Sequence, residues 1–493
     1  MILESEIWLA LVVLLPLAGA ILTFMAPRYA PQIGTVSGVI VFGAVVALTL
    51  AVVESDATRL TVGGWGAPLG IDLVADGLST LMLLMTAVVG LAITAYAVGY
   101  FGESSAHKRA YFWPLWLFLW ASMNALFLSG DVFNLYVTLE LLSLAAVALT
   151  ALVGQPAAVQ AAMRYMLVGL AGSLMYLMGV AFLYAEIGVL DIMALASVSE
   201  ATPPVFVSAA LITAGLMMKT ALFPLHFWLP PAHANAAAPV SALLSALVVK
   251  GSFYILLRLW LTVFAPLGDT FAPYVLSALG IGAIIWGSIQ ALRQPSIKLL
   301  VAYSTVAQLG YLFLLIPLLM DDGADRQAVL SGIVYFMIAH AMAKSAAFLS
   351  AGNILHALGN DRITSIIGMS RKMPLTITAF ALAGISLVAL PPSAGFIAKW
   401  LLLNEAIDGG QWLLVVVIIA GGLLAAGYVM RVVGPAFRQV ADDQLAVANP
   451  VVPASMAWSA LGLAILAIVL GFTGVYLLDV LDIGVVILTG GEA

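Results

Sequence analysis

Fourteen stretches of predominantly apolar sequence, each near the roughly 20 residues that a helix needs to cross a bilayer, divide this 493-residue chain. They lie near 7–26, 33–53, 76–101, 111–129, 132–153, 160–185, 205–229, 239–262, 272–291, 297–319, 329–350, 373–404, 411–436 and 455–478. In lipid, backbone amides must be satisfied within the protein, so such windows read as helices. The expected fold is an all-α polytopic membrane protein with about 14 transmembrane helices. Only 9% of the residues are charged and 63% are apolar. A soluble protein carries about 25% charged residues, so a cytosolic enzyme, a nucleic-acid binder and a disordered chain are excluded. The first window opens with Glu4 and Glu6 where a secretory signal would carry cations, and it reads as a retained span.

Cysteine is absent. Disulfides, thiolate catalysis and cysteine-ligated iron–sulfur or haem centres are thereby excluded within this chain. No Gly-rich phosphate loop leads into a Lys-Ser/Thr pair, and no polar stretch is long enough for a nucleotide domain. No cofactor and no metal site are expected, and transport must draw on an ion gradient or on another subunit.

Loop charges set the orientation. Eleven cations fall on the side of the first reverse loop: Arg28, Lys108, Arg109, Arg164, Arg293, Lys298, Arg362, Arg371, Lys372, Arg431 and Arg438. Three fall on the other side, Arg59, Arg258 and Arg326. Positive charge stays cytoplasmic, so both termini are expected to face outward.

Five charges have no loop to occupy: Glu140, Lys219, Lys250, Lys344 and Lys399 lie well inside apolar windows. Each costs about 2.5–3.5 kcal/mol at mid-bilayer on insertion scales. Snorkelling lysines and purely structural pairing are the plain alternatives. A buried Lys, however, loses its proton more readily, and a nearby carboxylate restores it, so a Glu–Lys pair is a switchable proton site. His340 and Lys344 share one helix face, four residues apart, and His226 and His233 follow the Lys219 helix. For each histidine, a satisfied structural hydrogen bond is an equal alternative to a relay role. His107 and His356 are expected in polar loops.

Two windows carry proline where a helix should be continuous, around Pro224 and Pro230-Pro231 and around Pro391-Pro392. A mid-helix proline removes a backbone hydrogen bond, and the freed carbonyls must be buried in protein or face a hydrated cavity. Broken helices in matching spans point to an ion path in transporters built from inverted repeats. The two windows are the seventh and the twelfth, and each break lies five to eight residues from a buried lysine. This layout suggests an N-terminal three-helix segment (1–110), five-helix repeats of inverted topology at 111–262 (helices 4–8) and 272–436 (helices 9–13), and a last helix within 455–493.

With these residues in view, the chain resembles the antiporter-like subunits shared by Mrp-type multisubunit Na⁺/H⁺ antiporters and the membrane arm of respiratory complex I. The resemblance rests on Ser129-Gly130-Asp131-Val132-Phe133-Asn134-Leu135-Tyr136 running into Glu140, on Lys219 through Pro231, and on the Lys250 helix. Pro295 through Ser304, His340 through Lys344 and Pro391 through Lys399 complete it. It covers about 70–440 and implies roles residue by residue: Glu140 and Lys219 as the fifth- and seventh-helix pair, Lys250 as a connecting residue, His340 and Lys344 as the central linker, and Lys399 as the terminal proton site. The run before Glu140 and the chain length fit the shorter, D-type branch of the Mrp antiporters. The implied partners are a longer homologous subunit, several small hydrophobic subunits, H⁺ and Na⁺, within a lipid bilayer and without nucleic acid.

Three functions from different classes compete. One is a subunit exchanging cytoplasmic Na⁺ for external H⁺. Another is a proton-pumping subunit of a redox complex, complex I or a membrane-bound hydrogenase. The third is a scaffold locked by buried charges, which the sequence disfavours because apolar replacements of buried ion pairs are often neutral or stabilising.

Overall fold

The computed structural model describes residues 5–102, 104–321, 323–441, 445 and 451–484. The C-terminal part of the last expected segment, 485–493, lies outside the described residues, as does Glu4. The helices that cross the molecule are α1 (Ser5–Met25), α2 (Ala30–Ser55), α3 (Gly77–Tyr100), α4 (Ala106–Leu128), α5 (Val132–Ala151), α6 (Pro156–Ile187), α7 (Pro203–Thr220), α8 (Leu229–Asn235), α9 (Ala238–Leu261), α10 (Ala272–Arg293), α11 (Ile297–Leu319), α12 (Arg326–Leu358), α13 (Pro374–Val388), α14 (Ala394–Asp408), α15 (Trp412–Ala436) and α16 (Ala454–Leu481). Thirteen helical segments are long and apolar enough to span a membrane, with α7 and α8 counted together. The window at 373–404 divides into α13 and α14, each of 15 residues. The chain is an all-α, multi-pass membrane protein.

Short polar side chains start several of these helices. Asp76, Asp131, Ser296, Asp325 and Ser393 each accept a hydrogen bond from a backbone amide of the first turn, which satisfies a donor that the helix itself leaves open. A hairpin of β1 (Thr58–Thr61) and β2 (Asp72–Ala75), paired Thr58 to Ala75, joins α2 to α3. Arg59 on β1 bridges Asp72 and Asp191, fastening the hairpin to the loop after α6.

Burial is uneven. Almost every residue of α9 and of α12 from Val329 to Ile354 is shielded by protein. Helices α1, α2, α6 and α15 instead show rows of exposed apolar side chains, among them Leu22, Val39, Leu174 and Leu423. The two buried helices therefore form the axis of the bundle, and α9 and α12 carry Lys250, His340 and Lys344. His107 and His356, expected in loops, lie in α4 and α12. Each is a helix-end residue whose polarity made the flanking sequence read as loop.

The two interrupted spans end their first halves in the same way. Helix α7 stops at Ala221 (φ 58°) and α13 at Ala389 (φ 74°). Both alanines sit in the left-handed region that favours glycine, at about 1–2 kcal/mol each. The next residues, Leu222 and Leu390, return their amides to Met217 O at 3.1 Å and Ile385 O at 3.0 Å, a Schellman-type ending in both cases. Pro224 and Pro392 follow three residues after each alanine.

Candidate functional site

The freed carbonyls at the two breaks are claimed by side chains. At the first, Trp228 Nε1 donates to Met218 O at 2.9 Å. At the second, Leu387 O accepts from Lys399 Nζ at 3.1 Å and from Gln308 Nε2 at 3.3 Å. Leu387 lies two residues before Ala389, as Lys219 lies two before Ala221. Lys399, from the second half of its span, thus reaches back to the position that Lys219 occupies in the first.

Helix α5 carries Glu140 and α7 carries Lys219 to a meeting point inside the bundle. Lys219 Nζ lies 3.3 Å from Glu140 Oε2 and donates to Ser143 Oγ at 2.7 Å. Glu140 Oε2 also accepts from Ser173 Oγ on α6. The lysine side chain is 4% exposed and the glutamate 19%, so the carboxylate sits at the edge of the bundle and the ammonium within it. Close approach of α6 and α7 makes this possible: a Cβ on Gly215 would run into Gly172 O.

From Lys219 the buried polar groups continue as hydroxyls. Thr220 Oγ1 donates to Ser252 Oγ at 2.9 Å, joining the end of α7 to α9. Lys250, fully buried two residues earlier, donates to Ser245 O at 3.0 Å. That carbonyl belongs to a π-helical turn, Leu244–Val248, a feature often found at functional sites. Ser245 Oγ lies 2.9 Å from Thr305 Oγ1 on α11. The preceding residue, Ser304, accepts from Lys344 Nζ, which also donates to Val301 O at 3.1 Å.

The residues expected from the sequence therefore fall into one interior band, though not into one hydrogen-bonded chain. Glu140 and Lys219 meet directly, and two hydroxyl pairs, Thr220–Ser252 and Ser245–Thr305, join the helices that carry Lys219, Lys250 and the Ser304 partner of Lys344. His340 is buried and stacks on Phe336 at 6.0 Å, its Nε2 without a hydrogen-bond partner. It makes no hydrogen bond to Lys344 or to Lys399. Lys399 lies under the ring of Tyr311 at 4.4 Å and lines a cavity of about 300 Å³ between α13, α14 and α15, bordered by the exposed side chains of Leu390 and Trp400.

His226 is 8% exposed and stacks on Phe223. His233 is wholly buried, stacks on Phe348 at 4.7 Å, and has no side-chain hydrogen-bond partner among the described residues. Lys298, counted from the sequence among the loop cations, is instead 2% exposed and donates to Ala236 O at 2.6 Å and Ala234 O at 3.4 Å at the end of α8. It sits one residue inside the first turn of α11, an end of the helix dipole that disfavours cations. That unfavourable position was the signal in the sequence. Among the described residues, no group of three or more His, Asp or Glu side chains could hold a metal ion.

Comparison with known proteins places this architecture. The profile of the NADH:quinone oxidoreductase/Mrp antiporter transmembrane family matches residues 129–425. The chain belongs to that family. The N subunit of the NADH-quinone oxidoreductase of Desulforudis audaxviator is 37% identical over 396 residues, which are 80% of this chain and 78% of that one. The D subunit of the Na⁺/H⁺ antiporter of Alkalihalophilus pseudofirmus is 29% identical over 427 residues, 85% of each chain. A chain in the solved Mrp complex of a Dietzia species superposes with a TM-score of 0.88 at 25% identity, covering 97% of this chain and 96% of that one.

Proposed function

We propose that this chain is the proton-translocating, D-type subunit of a multisubunit Na⁺/H⁺ antiporter in a bacterial cell membrane, with both termini outward. The reading is carried by the Glu140–Lys219 pair inside the bundle, at the head of a row of buried lysines spaced by hydroxyls. Similarity over nearly the whole length to the D subunit of an antiporter and to a chain of a solved Mrp complex supports it. The partners in this reading are a longer homologous subunit and several small hydrophobic ones.

In the mechanism, a proton enters near Lys219 or Lys250, passes through water and the His340–Lys344 region, and leaves by Lys399. When Glu140 is drawn from Lys219, the buried ammonium loses its counter-charge and releases its proton. Each proton moving inward across 100 mV yields about 2.3 kcal/mol, which drives sodium outward elsewhere in the complex. The segments 111–262 and 272–436 act as two half-channel units of inverted topology around the two breaks.

One observation favours a second reading. The higher identity, 37%, is to a quinone oxidoreductase subunit, and a proton-pumping arm of a redox complex would use the same buried charges. Tagging the chain in its native membrane, solubilising gently and identifying what co-purifies separates the two. Small hydrophobic subunits and one long homologue support the antiporter. Flavin or iron–sulfur proteins in the complex would overturn it.

A further inference from the structure

Among the four intramembrane lysines, Lys250 and Lys399 each have a single hydrogen-bond partner among the described residues, and Lys399 alone adds an aromatic face. Lys219 has a carboxylate and a hydroxyl, and Lys344 has a hydroxyl and a carbonyl. Lys250 has a carbonyl from its own helix. Lys399 has the Leu387 carbonyl and the face of an aromatic ring. The charged and titratable groups around it are Tyr311 on α11, Tyr428 on α15, and Lys344 and His340 on α12, which lie within electrostatic reach. None is a carboxylate, and both α12 groups repel an ammonium when protonated.

Tyr311 is built into place for this contact. Its hydroxyl reaches Ile418 O at 3.4 Å, and a Cβ on Gly421 would overlap the phenol oxygen, so only glycine leaves room for the ring here. The ring also packs on Phe336 at 5.3 Å, and Phe336 stacks on His340. Contacts thus run in the order Lys399, Tyr311, Phe336, His340. The face of an aromatic ring attracts a cation through its quadrupole, most strongly where water is excluded. It does so without adding a negative charge or accepting a proton.

We infer that Tyr311 is a positioning residue whose ring takes the place of a counter-carboxylate for the Lys399 ammonium. This rests on the reading of Lys399 as the terminal proton site. A carboxylate would bind the ammonium strongly enough to trap the proton. A ring supports the charged form by less, and leaves the proton free to depart toward the lateral cavity.

The test uses the full complex in everted vesicles, with cation-driven proton movement measured from mildly acidic to strongly alkaline pH. Tyr311→Phe should preserve the pH profile. Mono-, di- and trifluorophenylalanine at position 311 keep nearly the same volume while weakening the quadrupole, and should move the alkaline limb stepwise toward acid, by about one pH unit at trifluoro. Tyr311→Leu should move it at least as far. An unchanged limb through the fluorinated series would overturn the inference, because a purely packing role depends on volume and not on the quadrupole. Lys399→Ala reports separately on the underlying reading: normal exchange in that variant sinks Lys399 as a proton site, whatever the fluorinated series shows.

Discussion

Lys219 Nζ and Glu140 Oε2 lie 3.3 Å apart, the one ion pair formed by any of the four intramembrane lysines among the described residues. Each partner has a second anchor: Lys219 keeps a hydrogen bond to Ser143, and Glu140 one from Ser173. Separation of the pair therefore leaves each group with a polar neighbour, which lowers the cost of opening.

From that arrangement, Glu140→Ala and Lys219→Ala should each abolish exchange while the complex still assembles. Exchange is read from cation-induced collapse of a proton gradient, and assembly from co-purification of the other subunits. Exchange at the normal rate in either variant would refute the Glu–Lys switch. In a double-mutant cycle on activity, the second substitution should add almost nothing to the first, because the two residues act as one unit.

The seam between α6 and α7 gives a prediction about packing. Gly172 and Gly215 bring the two backbones together, with a Cβ on either one falling within 2.8 Å of the other's carbonyl oxygen. A Cβ on Gly169, one turn away on α6, would meet nothing within 4 Å. Gly215→Val should reduce the amount of folded protein and lower exchange by displacing Lys219, while Gly169→Ala should match the parent in both. Close approach through small residues is how helices associate in lipid. Equal effects at the two positions, measured by membrane abundance and thermal aggregation, would remove that account.

The residues readable from the sequence were those whose chemistry contradicts their surroundings. Glu140, Lys219, Lys250, Lys344 and Lys399 are charges in apolar windows, and the breaks announce themselves through proline. Contacts made by ordinary residues were not readable. Tyr311 is one aromatic among many in an apolar helix, and Thr220, Ser252, Ser245 and Thr305 look like the hydroxyls that any membrane helix tolerates. Lys298 was misplaced because a cation near the end of a window reads as loop, whereas the fold carries the end of α8 over it. The paired alanines in left-handed conformation, Ala221 and Ala389, left no trace at all, since alanine is the residue least associated with that backbone region.

Asp76 and Arg258 form a second kind of ion pair, at the end of the bundle where α3 begins and α9 ends. Arg258 contacts both carboxylate oxygens, with Nη2 at 2.9 Å from Oδ1, and Asp76 also caps α3 through the Ser79 amide. Burial pushes the Asp76 carboxyl upward, but the Arg258 charge and hydrogen bonds, with those from Ser79, outweigh it and hold the carboxyl below its ordinary value. A carboxyl depressed in the folded state stabilises the fold above its unfolded pKa of about 3.9 and loses that contribution as pH falls through the folded value. Asp76→Asn should lower the melting temperature of the purified complex by several degrees, consistent with about 3–5 kcal/mol for removing one partner of a buried pair. The gap between parent and variant should be constant from about pH 5 to 8 and close below about pH 4. A gap that widens toward acid would contradict the assignment.

His233 offers the sharpest separation of structure from function. Its ring is fully buried on Phe348, and neither nitrogen has a side-chain partner among the described residues. Lys298 and Lys344 both lie within electrostatic reach. A histidine kept for stability would spend its nitrogens on partners, and an apolar ring of similar shape would then be a loss of about 1–3 kcal/mol. Here the ring has no side-chain partner among the described residues, only the Ser241 backbone beside it, and burying a polar ring is itself a cost. His233→Phe should therefore leave the melting temperature unchanged or raise it, and yet reduce exchange at least tenfold if the ring passes protons between the Lys298 end of the bundle and Lys344 (a relay group is worth about 10²–10⁴ in rate). A fall in stability with normal exchange would make His233 a packing residue. Unchanged stability together with lost exchange would place a proton carrier at the junction of α8 and α9, where the first broken span turns back into the bundle.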